Sequence, residues 1–124
     1  MAHKVLIADD EPNIVISLEF LMKREGYQVL VARDGQAALE TIRRERPDLV
    51  LLDVMMPLMS GFDVCQAVRA DESLAAVKVV LLTAKGRETD TAKGTAMGAD
   101  AYVTKPFSTK DLAQRVRELL GTQA

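Results

Sequence analysis

The sequence predicts an α/β protein: a five-stranded parallel sheet with helices on both faces. Three observations predict it. Five short runs rich in Val, Leu and Ile recur along the chain. Segments with helical spacing separate them. The alternation repeats at roughly 24-residue intervals, the pattern of right-handed βαβ units around a sheet covered on both sides.

The strand candidates are "KVLIA" from Lys4, "QVLVA" from Gln28, "DLVLL" from Asp48, "VKVVLLT" from Val77 and "AYVT" from Ala101. In the first helical segment Ile14, Leu18, Leu21 and Met22 share one face, and Gly26 closes it at a C-cap position. Ala38, Leu39 and Ile42 mark a second helix that ends before Pro47. Phe62, Cys65 and Val68 mark a third. A fourth, about Thr89 to Met97, is weak, because Gly94 interrupts it and its apolar face is thin. Leu112, Val116, Leu119 and Leu120 mark the last, which opens on "STKD", where Ser108 and Asp111 have capping-box spacing.

The chain of 124 residues suits one domain, residues 1–124, and is long enough for a core without disulfides or metal staples. No linker or low-complexity segment divides it, and the sequence is expected to be a stand-alone domain or the amino-terminal part of a larger protein. Its 16 basic and 18 acidic residues give a net charge of -2, which argues against broad electrostatic binding of nucleic acid. A single cysteine, Cys65, cannot form an internal disulfide. It is expected to pack a helix. No apolar run approaches the ~20 residues of a membrane span, and the start "MAHKVLIADD" is not a secretory signal. A cytoplasmic protein with no membrane contact is expected.

One feature of "LLDVMMP", residues 51 to 57, does not fit a plain buried strand. The apolar run Leu49 to Leu52 ends in a carboxylate, Asp53. Ligands of open parallel sheets sit beyond the carboxyl ends of the strands, and those ends gather charge here. The first delivers Asp9 and Asp10, the third Asp53, the fourth Thr83, and the fifth is followed by Lys105 and Pro106. With the common strand order 2-1-3-4-5, strands one and three are neighbours and three aspartates meet. Such a cluster is costly unless a cation relieves it. Oxygen-only ligands with open water positions suit Mg²⁺.

Lys105 adds a mobile point charge and Thr83 a hydroxyl donor. The set resembles a phosphoryl site with a carboxylate nucleophile. Each residue alone has a duller explanation: Asp9 and Asp10 could open a helix ahead of Pro12, and Asp53 could end a strand. Four such groups at the same end of the sheet outweigh those explanations.

The acidic pair Asp9 and Asp10, "LLDVMMPLMSG" around Asp53, "LLTA" around Thr83 and "AYVTKPF" around Lys105 together resemble the receiver domain of two-component response regulators. The single-domain chemotaxis regulator is similar, and the resemblance covers about residues 4 to 120. It implies a flavodoxin-like fold and a signalling domain rather than a turnover enzyme. Asp53 would accept a phosphoryl group from a phosphohistidine on a histidine kinase or histidine phosphotransfer protein, and would lose it by slow self-hydrolysis. Asp10 would bind Mg²⁺ directly, Asp9 largely through water, and the Met55 backbone carbonyl would complete the protein ligands.

Thr83 and Lys105 would contact phosphoryl oxygens, and the Lys105–Pro106 bond would be cis. Tyr102 would turn inward as Thr83 moves, switching a surface read by a downstream protein target or output domain, as a monomer or a phosphorylation-dependent dimer. Met55 and Lys85 would flank the path of attacking water and tune the lifetime of the phosphorylated state.

Three rivals remain in view. A flavin-binding electron carrier shares the strand order, but its phosphate would be repelled by "ADDEPN". An aspartate-nucleophile phosphatase of the haloacid dehalogenase type places a second Asp where Met55 stands. An interaction module of the same fold that works without phosphate keeps the site intact and unused.

Overall fold

The computed structural model describes residues 3–84 and 98–121. Five strands, β1 (Lys4–Ala8), β2 (Gln28–Ala32), β3 (Leu49–Asp53), β4 (Lys78–Ala84) and β5 (Ala101–Lys105), form one parallel sheet in the order β2-β1-β3-β4-β5. The expected fold class and strand order are both observed. Among the described residues four α-helices accompany the sheet: α1 (Pro12–Arg24), α2 (Gly35–Glu45), α3 (Gly61–Ala70) and α4 (Thr109–Leu120), with a short 3₁₀ turn at Glu72–Leu74. None of them is long and apolar enough to cross a membrane. The expected helix at Thr89 to Met97 lies outside the described residues.

Alternation along the strands builds two cores. Leu6, Ala8, Val50, Leu52, Val79 and Leu81 face α2 and α3, where Ile42, Phe62, Cys65 and Val68 meet them. Val5, Ile7, Leu49, Leu51, Val80 and Leu82 face α1 and α4, against Leu18, Met22, Leu112 and Val116. Every residue of β3 is buried, which is why Leu49 to Leu52 form a continuous apolar run with no solvent-facing alternation. The lone Cys65 is a packing residue, and burial pushes its thiol up.

Local signals set the helix ends. Pro12 opens α1, and Gly26 at φ +93 takes the left-handed position that follows it. Ser60 and Asp63 form a full capping box at α3, unforeseen in the sequence. At α4 Ser108 accepts from the Asp111 amide at 3.3 Å. β3, β4 and β5 each run one residue further than the apolar runs indicate, because ladder pairing carries on past them, with Asp53 beside Leu82 and Ala84 beside Lys105. His3 is half-buried, 3.6 Å from Asp48 and edge-on to Tyr27.

At the amino-terminal end of the sheet, Asp100 ties three elements together. Its carboxylate accepts from the Val79 amide at 2.7 Å and from Arg69 at 2.6 Å, and Arg69 also donates to the carbonyls of Val77 and Gly98. Asp100→Ala leaves the fully buried Val79 amide unpaired. It should cost about 2–3 kcal/mol, a fall in Tm of roughly 6–12 °C by thermal unfolding.

Candidate functional site

The site lies at the carboxyl ends of β1, β3, β4 and β5, and the pairing register places its parts. β1 and β3 are neighbours with Ala8 beside Leu52, so the next residues, Asp9 and Asp53, leave the sheet together. Both follow the alternation that sends Ile7 and Leu51 toward α1 and α4, so they share that face. Val103 packs on it too, and Lys105 is two residues further along. β4 separates β3 from β5, and the residue of β4 beside Lys105 is Ala84. Its small side chain leaves the lysine room to cross β4 and reach both aspartates. Ala84 was not singled out in the sequence; its signal is its place in the alternation, two after Leu82.

Lys105 Nζ lies 3.0 Å from Asp9 Oδ2 and 3.5 Å from Asp53 Oδ1. Asp9 is fully buried, and its other oxygen accepts from the Glu11 amide at 2.9 Å. Asp53 is 7% exposed and accepts from the Met55 amide at 3.3 Å. Asp10 is exposed and lines an open cleft of about 490 Å³ with Asp53, Met55, Ala84 and Lys105. Asp9, Asp10 and Asp53 each bring one oxygen into a group whose members all lie within 4.8 Å of one another.

Three carboxylates face one ammonium, and the imbalance registers on Asp53. Burial, then the charge of Asp9, pushes its carboxyl from 3.8 up to about 6, against the opposing pull of Lys105 and the Met55 amide. On Lys105 burial alone acts to lower the ammonium. The hydrogen bond with Asp9 and the charges of Asp53 and Asp9 outweigh it, and the net direction is upward. The donor set is oxygen only, anionic and partly open to solvent. It fits a hard divalent cation.

Thr83 and Tyr102 stand on the opposite face. Thr83 follows Val79 and Leu81, is buried at 3% exposure, and is absent from the cleft lining. Tyr102 pairs in register with Leu81 and packs half-buried against the same core. The two are therefore neighbours in strand and share a face, offset by two residues. The Lys105–Pro106 bond is cis. Met55 is 60% exposed beside Asp53; Lys85 lies outside the described residues.

With this geometry in place, the comparisons with known proteins agree. The family model for the response regulator receiver domain matches residues 5–117. The signal receiver domain of a histidine kinase from Syntrophus aciditrophicus is 33% identical with a TM-score of 0.90, over 97% of this chain and 91% of that one. The chemotaxis response regulator CheY4 of Vibrio cholerae is 30% identical with a TM-score of 0.89, over 96% and 99%. The receiver domain of the sensor histidine kinase PA1611 from Pseudomonas aeruginosa, with a magnesium ion coordinated in its active site cleft, is 26% identical with a TM-score of 0.90, over 98% and 100%. The chain belongs to the response regulator receiver family of two-component signalling. The flavin carrier and the phosphatase fall with that assignment.

The raised carboxyl of Asp53 has a measurable sign. Folding favours its protonated form, so the metal-free protein loses stability as pH rises from about 4 to about 6, and the cost is constant above that window. Asp53→Asn removes it. The variant should be more stable than the parent by about 1–3 kcal/mol at pH 7.5 without divalent cations, and equal to it near pH 3.5. Urea titrations at the two pH values check this, and a variant less stable at both would give Asp53 a structural role.

Proposed function

We propose that this receiver domain is a phosphoacceptor switch, with Asp53 taking a phosphoryl group from a phosphohistidine of a histidine kinase or histidine phosphotransfer protein. The observation that carries the reading is the convergence on Asp53: a nucleophilic oxygen on a rigid buried strand, open to a cleft, flanked by two further carboxylates and a lysine. An Asp53 oxygen attacks phosphorus, the bond from phosphorus to the donor imidazole nitrogen breaks, and its electron pair stays with that nitrogen, which takes up a proton. Asp9 holds Lys105 at the cleft by their 3.0 Å contact, so the ammonium sits where a transferred oxygen gains charge.

Asp10 and Asp53, with the Met55 carbonyl, are the ligands proposed for Mg²⁺, with Asp9 acting largely through water. The cation supplies charge neutralisation at the transferring oxygens. The magnesium in the related P. aeruginosa receiver supports this choice of ion.

Output would pass through the opposite face. Thr83 gives up its buried place to bond a phosphoryl oxygen, and Tyr102, beside it on β5, follows into the space released. The surface so changed would be read by a downstream protein or output domain, or by a second copy of the chain. A cytoplasmic setting fits a sequence whose single cysteine has no second one with which to form an internal disulfide.

Intact mass after incubation with Mg²⁺ and acetyl phosphate tests the acceptor. The parent should gain one phosphoryl group under rapid quenching, and Asp53→Asn none. Omitting the cation should suppress the adduct. A folded parent that gains nothing would favour an interaction module that works without phosphate.

A further inference from the structure

The loop between β3 and α3 carries Met55, and it is held from an unexpected side. Val54 anchors its start, donating to the Leu82 carbonyl at 3.1 Å and accepting from the Gly61 amide at 2.9 Å. Its far end rests on the first residue of α2. There the Gly35 amide donates to the Pro57 carbonyl at 3.2 Å, and the Met59 amide donates to the same carbonyl at 2.8 Å, around Leu58 at φ +71. Only Met55 and Met56 lie between the two fixed points.

Gly35 is buried, and the loop packs directly onto its backbone. A Cβ at this position would overlap the Met59 carbonyl oxygen, and would sit 2.6 Å from Met59 Cβ and 2.7 Å from the Met59 carbonyl carbon. Those atoms are backbone or fixed to it, so no side-chain rotation relieves the overlap. The loop or the start of α2 must move by on the order of 1 Å.

We infer that Gly35 is a positioning residue for the acidic site: its bare backbone seats the Pro57–Met59 end of the loop and so sets where Met55 presents its amide and carbonyl. The Met55 amide already donates to Asp53 Oδ1. The inference rests on the proposed metal role of Met55 and Asp53, and extends it to a helix that contributes nothing to the cleft lining. Support groups behind a metal ligand commonly change affinity by about 10–100-fold when altered.

The test is a Mg²⁺ titration of the full ¹⁵N-labelled chain, followed by amide shifts, for the parent, Gly35→Ala and Ile42→Val. Ile42 is a buried residue of the same helix, about two turns beyond Gly35, and its truncation lowers stability while leaving the Gly35 backbone bare. Gly35→Ala should displace the Met55 amide resonance without metal and weaken Mg²⁺ binding at least about tenfold. Ile42→Val should bind like the parent. By linkage, saturating the parent with Mg²⁺ should also shift the Gly35 amide, a readout that survives if Gly35→Ala does not fold.

Binding by a folded Gly35→Ala within twofold of the parent, or a Gly35 amide unmoved in saturated parent, overturns the inference while the metal site stands. A parent whose Asp10 and Asp53 amides ignore Mg²⁺ brings down the metal reading, and the inference with it.

Discussion

The constraint on which the rest of the structure depends is the enforced proximity of Asp9 and Asp53. Neither position is a choice the side chains make. β1 and β3 are locked in register by backbone pairing and by apolar packing on both faces, and their next residues emerge side by side. Asp9 is fully buried, and both of its oxygens are held, one by the Glu11 amide and one by Lys105. A buried carboxylate is tolerable on those terms. The second carboxylate, Asp53, arrives with the same lysine already engaged and a weaker hold on it. Burial and the charge of Asp9 raise its carboxyl more than that hold lowers it.

Strand alternation then divides the labour. Asp9, Asp53 and Lys105 share one face at the sheet's end, while Thr83 and Tyr102 share the other. Charge sits on one side of the strand ends, and a buried hydroxyl and an aromatic ring on the other. A group held at Asp53 borders both, since β4 contributes Ala84 to the charged side and Thr83 to the opposite one. The same strand can therefore supply the space through which Lys105 reaches and the neighbour through which a change could pass.

The fold was legible almost throughout, because its signals are local. Apolar runs of strand length, helical spacing and the glycine after α1 are properties of short windows. The strand ends at Asp53, Ala84 and Lys105 were less so, since hydrogen-bond pairing does not stop where hydrophobicity does. At the site, Asp9, Asp10, Asp53 and Lys105 could be found as charges in places where a buried sheet has no other use for them. Asp100 could not, because an acidic residue before a strand reads as solvated until its carboxylate is seen bonding the Val79 amide. Gly35 was equally silent. After the capping Asp34 it looks like an ordinary helix start, and its importance lies in contact with a loop more than twenty residues later.

Charge and packing at this edge of the sheet oppose each other. The two glycines that admit the β3–α3 loop, Gly35 beneath Met59 and Gly61 beneath the Asp53 carbonyl, hold it closely against the sheet and α2. That packing keeps the carboxylates from moving apart to relieve their repulsion. A looser loop would let Asp53 swing toward solvent, recover its ordinary pKa and lose the cost. The structure instead keeps the repulsion in the cation-free state, where it counts against folding. A binding partner of opposite charge recovers that free energy on arrival, so the interaction withheld from stability becomes differential affinity for the bound state. Rigid seating of the loop and the raised carboxyl of Asp53 are thus two consequences of one arrangement, and a change that relaxes the first should lower the second.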